Sequence, residues 1–243
     1  MKPDKSPGIP ASAMKVIAFN ASPRKQDSTT DILLDLFLRG AEQAGATTTK
    51  HYVTDLDITG CTGCFTCWTK TPGRCIHRDD MDWIIPEIQE ADIIVFGSPI
   101  YNGYFTHYHQ RMTERLLPTL LPWMETQGET TQHPPRHKRK PQKIVLIAVA
   151  GFPDSQAFNI VKQLGQGELQ ILLPSSHILQ DPKGAEHMKV FTDAVIDSAK
   201  QLVQHGTVDQ KTRDKLIVEY TPEMKQMIRE QANKHFETRI NKS

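Results

Sequence analysis

The chain has 243 residues, 38% of them hydrophobic and 23% charged, with 29 Lys and Arg against 28 Asp and Glu and a formal net charge of +1. That length suits one large α/β domain with a substantial core. The near-neutral balance gives no support to nucleic-acid binding or a membrane-surface role, and no apolar run nears the roughly 20 residues that span a bilayer.

Residues 1–13 (MKPDKSPGIPASA) are polar and Pro-rich without an apolar h-region, and read as a loose tail and not a signal peptide. A cytoplasmic location is expected, where thiols stay reduced. Residues 14–22 (MKVIAFNAS) form a short apolar run that predicts a buried strand leading into a loop. In 28–45, Ile32, Leu33, Leu36, Phe37 and Ala44 repeat at helical spacing, with Ser28 or Thr29 as N-cap and Gly45 as stop. A second strand is predicted at 47–54. A helix follows at 79–91, capped by Asp79 or Asp80 and blurred by Pro86. Residues 92–101 predict a third, buried strand. A helix then runs to about 117, with Phe105, Tyr108, Met112 and Leu116 on one face.

A fourth strand is predicted at 143–151, a helix at 155–166, a fifth strand within 169–179 and a long helix at 185–206. Residues 222–240 predict a terminal amphipathic helix that docks on its own domain or on a second subunit. Apolar strands alternating with helices imply a doubly wound five-stranded parallel sheet with helices on both faces, joined by right-handed crossovers. The expected division is a tail at 1–13, one domain at 14–206 with a Cys-rich insertion at 59–78, and a helical extension at 207–243. The Trp and Met residues read as core.

In an open α/β sheet, ligands bind at the carboxyl ends of the strands where the strand order reverses. Three loops belong to that edge. The first, 20–30, carries Ser22, Ser28, Thr29, Thr30 and the cation Arg24 at a helix N-terminus, which suits a phosphate. It matches neither the Walker loop nor the Gly-x-Gly-x-x-Gly dinucleotide fingerprint. The plainer alternative is an ordinary capped helix. The second, 97–105, has Pro99 and Gly103 with Tyr101 and Asn102 at its tip, where a planar ring could stack on Tyr101; the alternative is a plain β-to-α connection. The third is 150–155.

All four cysteines, Cys61, Cys64, Cys67 and Cys75, fall within one fifteen-residue stretch. Two consecutive x2 gaps are typical of [4Fe–4S] ligation, whereas zinc sites more often pair two separated knuckles. Pro72-Gly73 supplies a turn before Cys75, and Trp68 could shield a cluster from solvent. Zinc, empty thiols and small packing residues remain as alternatives.

Ser22-Pro-Arg24 with Ser28-Thr29, then Gly97-Ser-Pro-Ile-Tyr-Asn-Gly103, resembles the flavodoxin-like NAD(P)H-dependent FMN reductases. Arg111-Met-Thr-Glu-Arg115 resembles their basic-x-apolar-x-acidic-Arg run. Cys61-x2-Cys64-x2-Cys67-x7-Cys75 resembles the motif of the family's iron–sulfur flavoprotein branch, at the long end of its spacing. Ser28 departs from the Asn of many relatives. The resemblance covers about residues 14 to 205 and implies FMN. Ser22, Arg24, Ser28 and Thr29 would hold its phosphate. Ser98, Pro99, Ile100, Tyr101, Asn102 and Gly103 would line the isoalloxazine, and Gly151 and Phe152 would close the other side. The four cysteines would hold a [4Fe–4S] cluster, with NAD(P)H as reductant, an unidentified electron acceptor and a homo-oligomeric assembly. The alternatives are a cluster-free NAD(P)H-dependent FMN or quinone reductase, and a non-catalytic electron carrier or binding protein.

The remaining features read plainly. The basic, Pro-rich stretch 133–143 is a solvated loop, or else a lid or an electrostatic site for a nicotinamide phosphate or an acidic partner. His107 and His109, two apart on a helix, face different sides; one of them could touch the flavin edge. No side chain is needed as a general acid or base, because the flavin and cluster carry the chemistry.

Overall fold

The computed structural model describes residues 13–137, 141–163 and 167–241. In chain order the elements are β1 (Lys15–Asn20), α1 (Thr29–Gln43), β2 (Thr47–Tyr52), α2 (Met81–Glu90), β3 (Ile93–Tyr101), β4 (Tyr104–Phe105) and α3 (His107–Glu114). Then come β5 (Glu125–Gln127), β6 (Thr130–Gln132), β7 (Lys143–Val149), α4 (Asn159–Gln163) and β8 (Leu169–Leu173). Four helices close the chain: α5 (Pro182–His187), α6 (Lys189–His205), α7 (Gln210–Lys215) and α8 (Pro222–Ile240).

The five strands expected from sequence form one parallel sheet in the order β2-β1-β3-β7-β8. Side chains alternate across each strand, so every central strand feeds two cores. Val16, Ala18, Ile93, Val95, Val145 and Ile147 face α1 and α6, against Leu33, Phe37, Val195 and Leu202. Ile17, Phe19, Ile94, Phe96, Leu146 and Ala148 face α2, α3 and α4, against Ile84, Ile88, Met112 and Val161. Each such large side chain contributes about 1.5–3 kcal/mol on burial. The near-continuous apolar runs seen in the sequence are what two covered faces require.

Gly97 on β3 shows how closely α1 packs. A Cβ there would sit 2.8 Å from Leu34 Cδ1 and 2.9 Å from Thr30 Cγ2. The first turn of α1 therefore lies directly over the carboxyl end of β3.

Several elements differ from expectation. The segment 97–105 is not a simple loop: β3 runs to Tyr101 and returns as β4 through a two-residue turn, with Asn102 at φ 50° and Gly103 at φ 80°. Both central residues lie in the left-handed region, as an Asn-Gly hairpin turn requires. The long helix expected at 185–206 begins earlier and is broken. Asp181 caps the Gly184 N–H at 2.8 Å, α5 starts at Pro182, and the chain breaks at Met188 before α6. The helix expected at 155–166 opens with a 3-10 turn (Ser155–Phe158); its end at 164–166 lies outside the described residues, as do residues 1–12 of the expected tail. The expected core placement of Trp and Met fails at Trp83, Trp123, Met124, Met224 and Met227, all exposed.

Beyond Gly206 the extension divides. Val208 and Leu216 join the first core, whereas α8 buries no side chain and leaves Met224, Met227, Phe236 and Ile240 exposed. Among the described residues no helix is long and apolar enough to cross a membrane.

His109 faces inward, between the rings of Phe96 (5.4 Å) and Phe105 (4.5 Å), and neither ring nitrogen has a partner. It does not line the candidate cleft described below. Burial pushes its pKa down to about 4. The unfolded chain binds this proton below about 6.5, so stability is lost as pH falls from about 6.5 to about 4. The loss is up to about 3 kcal/mol. His109→Phe is expected to flatten this limb of the stability–pH profile in urea melts at pH 7 and pH 4.5. An unchanged slope would contradict the assignment.

Candidate functional site

The chain passes from β1 to β2 on one side of β1, then crosses to β3 on the other. The carboxyl ends of β1 and β3 therefore border the crevice where strand order reverses. The loop leaving β1 is fixed from within. Asn20 Nδ2 donates to Asp31 Oδ1 at 2.9 Å, and Asn20 Oδ1 accepts the Ser22 N–H at 2.8 Å. Ser28 Oγ accepts the Asp31 N–H at 3.1 Å and donates to Lys25 O at 2.6 Å, which caps α1. Lys50 Nζ lies 2.8 Å from Asp31 and 2.5 Å from Asp35. Burial works against the Lys50 charge, but the bonds to Asp31 and Asp35 outweigh it and raise its pKa. The loops after β1 and β3 are locked together: the Ala21 N–H donates to Gly97 O at 2.8 Å, and Thr106 Oγ1 donates to Ala21 O at 2.8 Å.

These loops enclose a cleft of about 230 Å³. Ser22, Arg24, Ser28, Thr29 and Thr30 form one end, and Pro99, Ile100, Tyr101, Val149 and Gly151 form a wall. Ser176, His177 and Gln180 close it from the loop after β8. Thr29 Oγ1 donates to Ser176 O at 3.1 Å and Gln180 Nε2 to Asp27 O at 3.0 Å, so that loop is tied to the first. The buried Thr30 Oγ1 has no hydrogen-bond partner. A buried hydroxyl left unpaired is costly, and this one lies where the first turn of α1 meets the cleft.

Of the residues singled out from sequence, Ser22, Arg24, Ser28, Thr29, Pro99, Ile100, Tyr101 and Gly151 are brought together here. Four are not. Ser98 is fully buried; its Oγ accepts the Thr106 N–H at 3.0 Å, so it supports the hairpin from behind. Asn102 and Gly103 form the exposed hairpin turn, away from the lining. Phe152 is exposed and off the wall, its carbonyl accepting the Ser175 N–H at 2.9 Å. Val149, Ser176, His177 and Gln180 were missed; Thr30, one of the four hydroxyls of the first loop, lines the cleft with the other three. The loop after β8 lies at the same sheet edge, and that alone could have drawn attention to it. The donor set fits FMN: a helix N-terminus, hydroxyls and Arg24 for the phosphate, and a Pro99–Ile100–Tyr101 wall for a flat ring.

The four cysteines line a second pocket together with Arg115, Leu117 and Pro118. All four are free thiols; Cys61 and Cys64 are exposed, Cys75 half-buried and Cys67 buried. The Gly63 N–H points at Cys61 Sγ, 3.5 Å away. Hydrogen bonds from Thr66 and Thr62 lower the Cys64 pKa. Burial raises that of Cys67, and the charges of Cys75, Cys64 and Cys61 add to the rise. Among the described residues, no three His, Cys, Asp or Glu side chains converge on a single metal ion. Tetrahedral zinc would need sulfurs about 3.8 Å apart. The four cysteines, all lining one pocket, are the side chains that would hold a four-iron group.

The loop is anchored from outside. Trp68 Nε1 donates to Leu117 O at 3.2 Å, and its ring lies 5.3 Å from Phe65 and 4.6 Å from His133. Arg136 donates to Pro118 O at 3.0 Å, Leu120 O at 3.1 Å and Cys67 O at 3.4 Å. The basic stretch expected to be solvated thus supplies a strut; its residues 138–140 lie outside the described set. Asp79 is more than a cap. It accepts the Met81 N–H at 3.1 Å, as expected, but also the Thr59 N–H at 3.0 Å and two bonds from Arg115. Burial opposes the Asp79 charge; Arg115 and the Thr59 N–H outweigh it and hold the carboxyl below its usual range.

A family model for NADPH-dependent FMN reductase matches residues 14–166. An iron-sulfur flavoprotein of Archaeoglobus fulgidus is 34% identical over 105 residues, 43% of this chain and 46% of its own length. One from Methanocaldococcus jannaschii is 34% identical over 105 residues, 43% of this chain and 53% of its own. The match thus spans about half the length of these curated relatives. Two solved structures share the fold: an FMN-dependent NADH-azoreductase from Bacillus anthracis in complex with FMN (TM-score 0.56, 15% identity, 78% of this chain and 100% of that one), and an NAD(P)H:quinone oxidoreductase from Methanothermobacter marburgensis (TM-score 0.56, 12% identity, 80% and 99%). The chain belongs to the NADPH-dependent FMN reductase family.

Proposed function

We propose that this chain is an FMN-dependent oxidoreductase linked to NAD(P)H, with a [4Fe–4S] cluster on Cys61, Cys64, Cys67 and Cys75. The observation that carries the reading is the cleft at the strand-order reversal, where the unpartnered Thr30 hydroxyl joins Ser22, Arg24, Ser28 and Thr29 opposite the Pro99–Tyr101 wall. FMN there would supply hydride acceptance from a reduced nicotinamide and onward electron transfer in pairs or singly, the single electrons matching an iron–sulfur partner. The chain's own residues bind and orient. Arg24 and the first turn of α1 take the phosphate charge. Pro99, Ile100 and Tyr101 would form the wall for the ring, with Val149 at the end of β7 and Gly151 just after it beside them. Thr29 and Gln180 hold the β8 loop against the phosphate end. No side chain acts as general acid or base. The exposed Met224, Met227, Phe236 and Ile240 of α8 support a homo-oligomer in which that helix is covered.

Two measurements test the reading. Rapid mixing of the FMN-loaded protein with NADH and with NADPH should bleach the flavin bands with at least one; bleaching with neither would leave an electron carrier. Thr30→Val keeps the shape and removes the hydroxyl. It is expected to stabilise the flavin-free protein by about 1 kcal/mol, because a buried unpaired group is lost. It should also weaken FMN binding about tenfold, roughly one hydrogen bond to a charged group. A stability loss with unchanged FMN affinity would place the hydroxyl outside the phosphate site.

A further inference from the structure

We propose that Arg115 is a positioning residue that clasps the two ends of the cysteine loop and holds a fixed positive charge and a free N–H against the cysteine pocket. The proposal rests on the cluster reading for its ligand, but its geometry belongs to the chain alone. Thr59 lies two residues before Cys61, and Asp79 four after Cys75. Arg115 donates to Thr59 O through Nη1, and to the Asp79 carboxylate at 2.6 and 3.0 Å through Nη1 and Nη2. Asp79 in turn accepts the Thr59 N–H at 3.0 Å. These bonds close a ring through three residues and bring the first and last cysteines, fourteen positions apart, to one place.

Arg115 also borders the thiols. It lines their pocket, and its buried Nε has no partner. Its side chain is 1% exposed and that of Asp79 2%. A buried ion pair is weak evidence of stabilisation, because desolvation offsets much of the attraction. Its position gives it a clearer purpose. Four thiolates in one pocket repel one another, and of the Arg115–Asp79 pair it is the cation, not the carboxylate, that lines that pocket. An arginine stays charged when buried, and its fork can bind Asp79 while Nε remains available to sulfur. A lysine keeps the charge but not the fork.

The test uses the full chain, reconstituted anaerobically with iron and sulfide, as wild type, Arg115→Gln, Arg115→Lys and Asp79→Asn. FMN content and far-ultraviolet circular dichroism report the fold. Arg115→Gln is expected to keep FMN, to bind iron roughly 10- to 100-fold more weakly, and to show a lower reduction potential in any cluster that forms, because a lost cation disfavours an added electron. Arg115→Lys should restore the potential more fully than the iron affinity. A folded Arg115→Gln protein with wild-type iron content and potential would overturn the proposal. If that variant does not fold, Arg115→Lys decides: wild-type iron affinity together with wild-type amide hydrogen exchange across residues 59–79 would overturn it. If wild type itself takes up no iron, the cluster reading fails. The clasp is then judged by the same exchange in metal-free protein, which should be faster in Arg115→Lys than in wild type; equal rates would refute it.

Discussion

Arg24→Glu is expected to weaken FMN binding by roughly 30-fold or more, while riboflavin, which lacks the phosphate, binds as well as before. Arg24 is exposed at the mouth of the cleft, and its Nη2 donates to Asp27 O at 2.9 Å. Nothing in the core depends on it, so the fold should be unaffected. A unit charge pair about 4 Å apart is worth about 1 kcal/mol in water and about 4 kcal/mol near a protein surface. Reversing the charge removes one attraction and adds one repulsion, so even the low figure gives about 2 kcal/mol. The effect should shrink with added salt. Equal losses for FMN and riboflavin would point to a damaged ring wall. No loss for either would move the phosphate away from the first loop.

Cys75→Ser should reduce iron from about four atoms per chain to below one, with FMN retained. Cys75 is the farthest of the four cysteines along the chain, yet it shares one pocket with Cys61, Cys64, Cys67 and Arg115. A serine hydroxyl is a poor replacement for a thiolate at a cluster that takes four cysteines. The flavin cleft is lined by other residues, none of them from the cysteine loop. Cys67→Ala should lose iron too, but Cys67 is buried at 7% exposure and its removal also disturbs packing. Cys75→Ser is therefore the cleaner experiment. Full iron content in that variant would exclude Cys75 as a ligand.

The sheet was legible because strands covered on both faces must be apolar almost throughout, and KVIAFN, IIVFGSPIY and KIVLIAV are. The first loop's place in the cleft was legible because hydroxyls and Arg24 cluster just after a strand. The hairpin at Asn102-Gly103 carried its own signal in that dipeptide, but the apolar run before it and the helix after it concealed the two-residue return strand β4. The break at Met188 had no comparable sequence mark, because the apolar spacing of α6 runs on from α5 without a proline or glycine between them. Trp123 and Met124 were misplaced because they lie in the irregular segment just before β5, and residue type does not reveal whether such a segment packs on the domain. The Asp79–Arg115 pair could not be read locally: its partners lie 36 positions apart, and Asp79 carries an ordinary capping signal that masks its second role. His177 and Gln180 reach the cleft only because β8 lies beside β7, a matter of strand order and not of spacing.

The central claim is that one chain holds FMN in the β1–β3 cleft and a four-iron cluster on the cysteine loop. Its most direct test is to count iron, acid-labile sulfide and FMN per chain in protein prepared and kept without oxygen. The expected result is about four iron, about four sulfide and about one FMN, with broad absorbance near 400 nm beyond the flavin bands. One FMN with no iron after anaerobic reconstitution would contradict the cluster, and absence of FMN uptake would contradict the account as a whole.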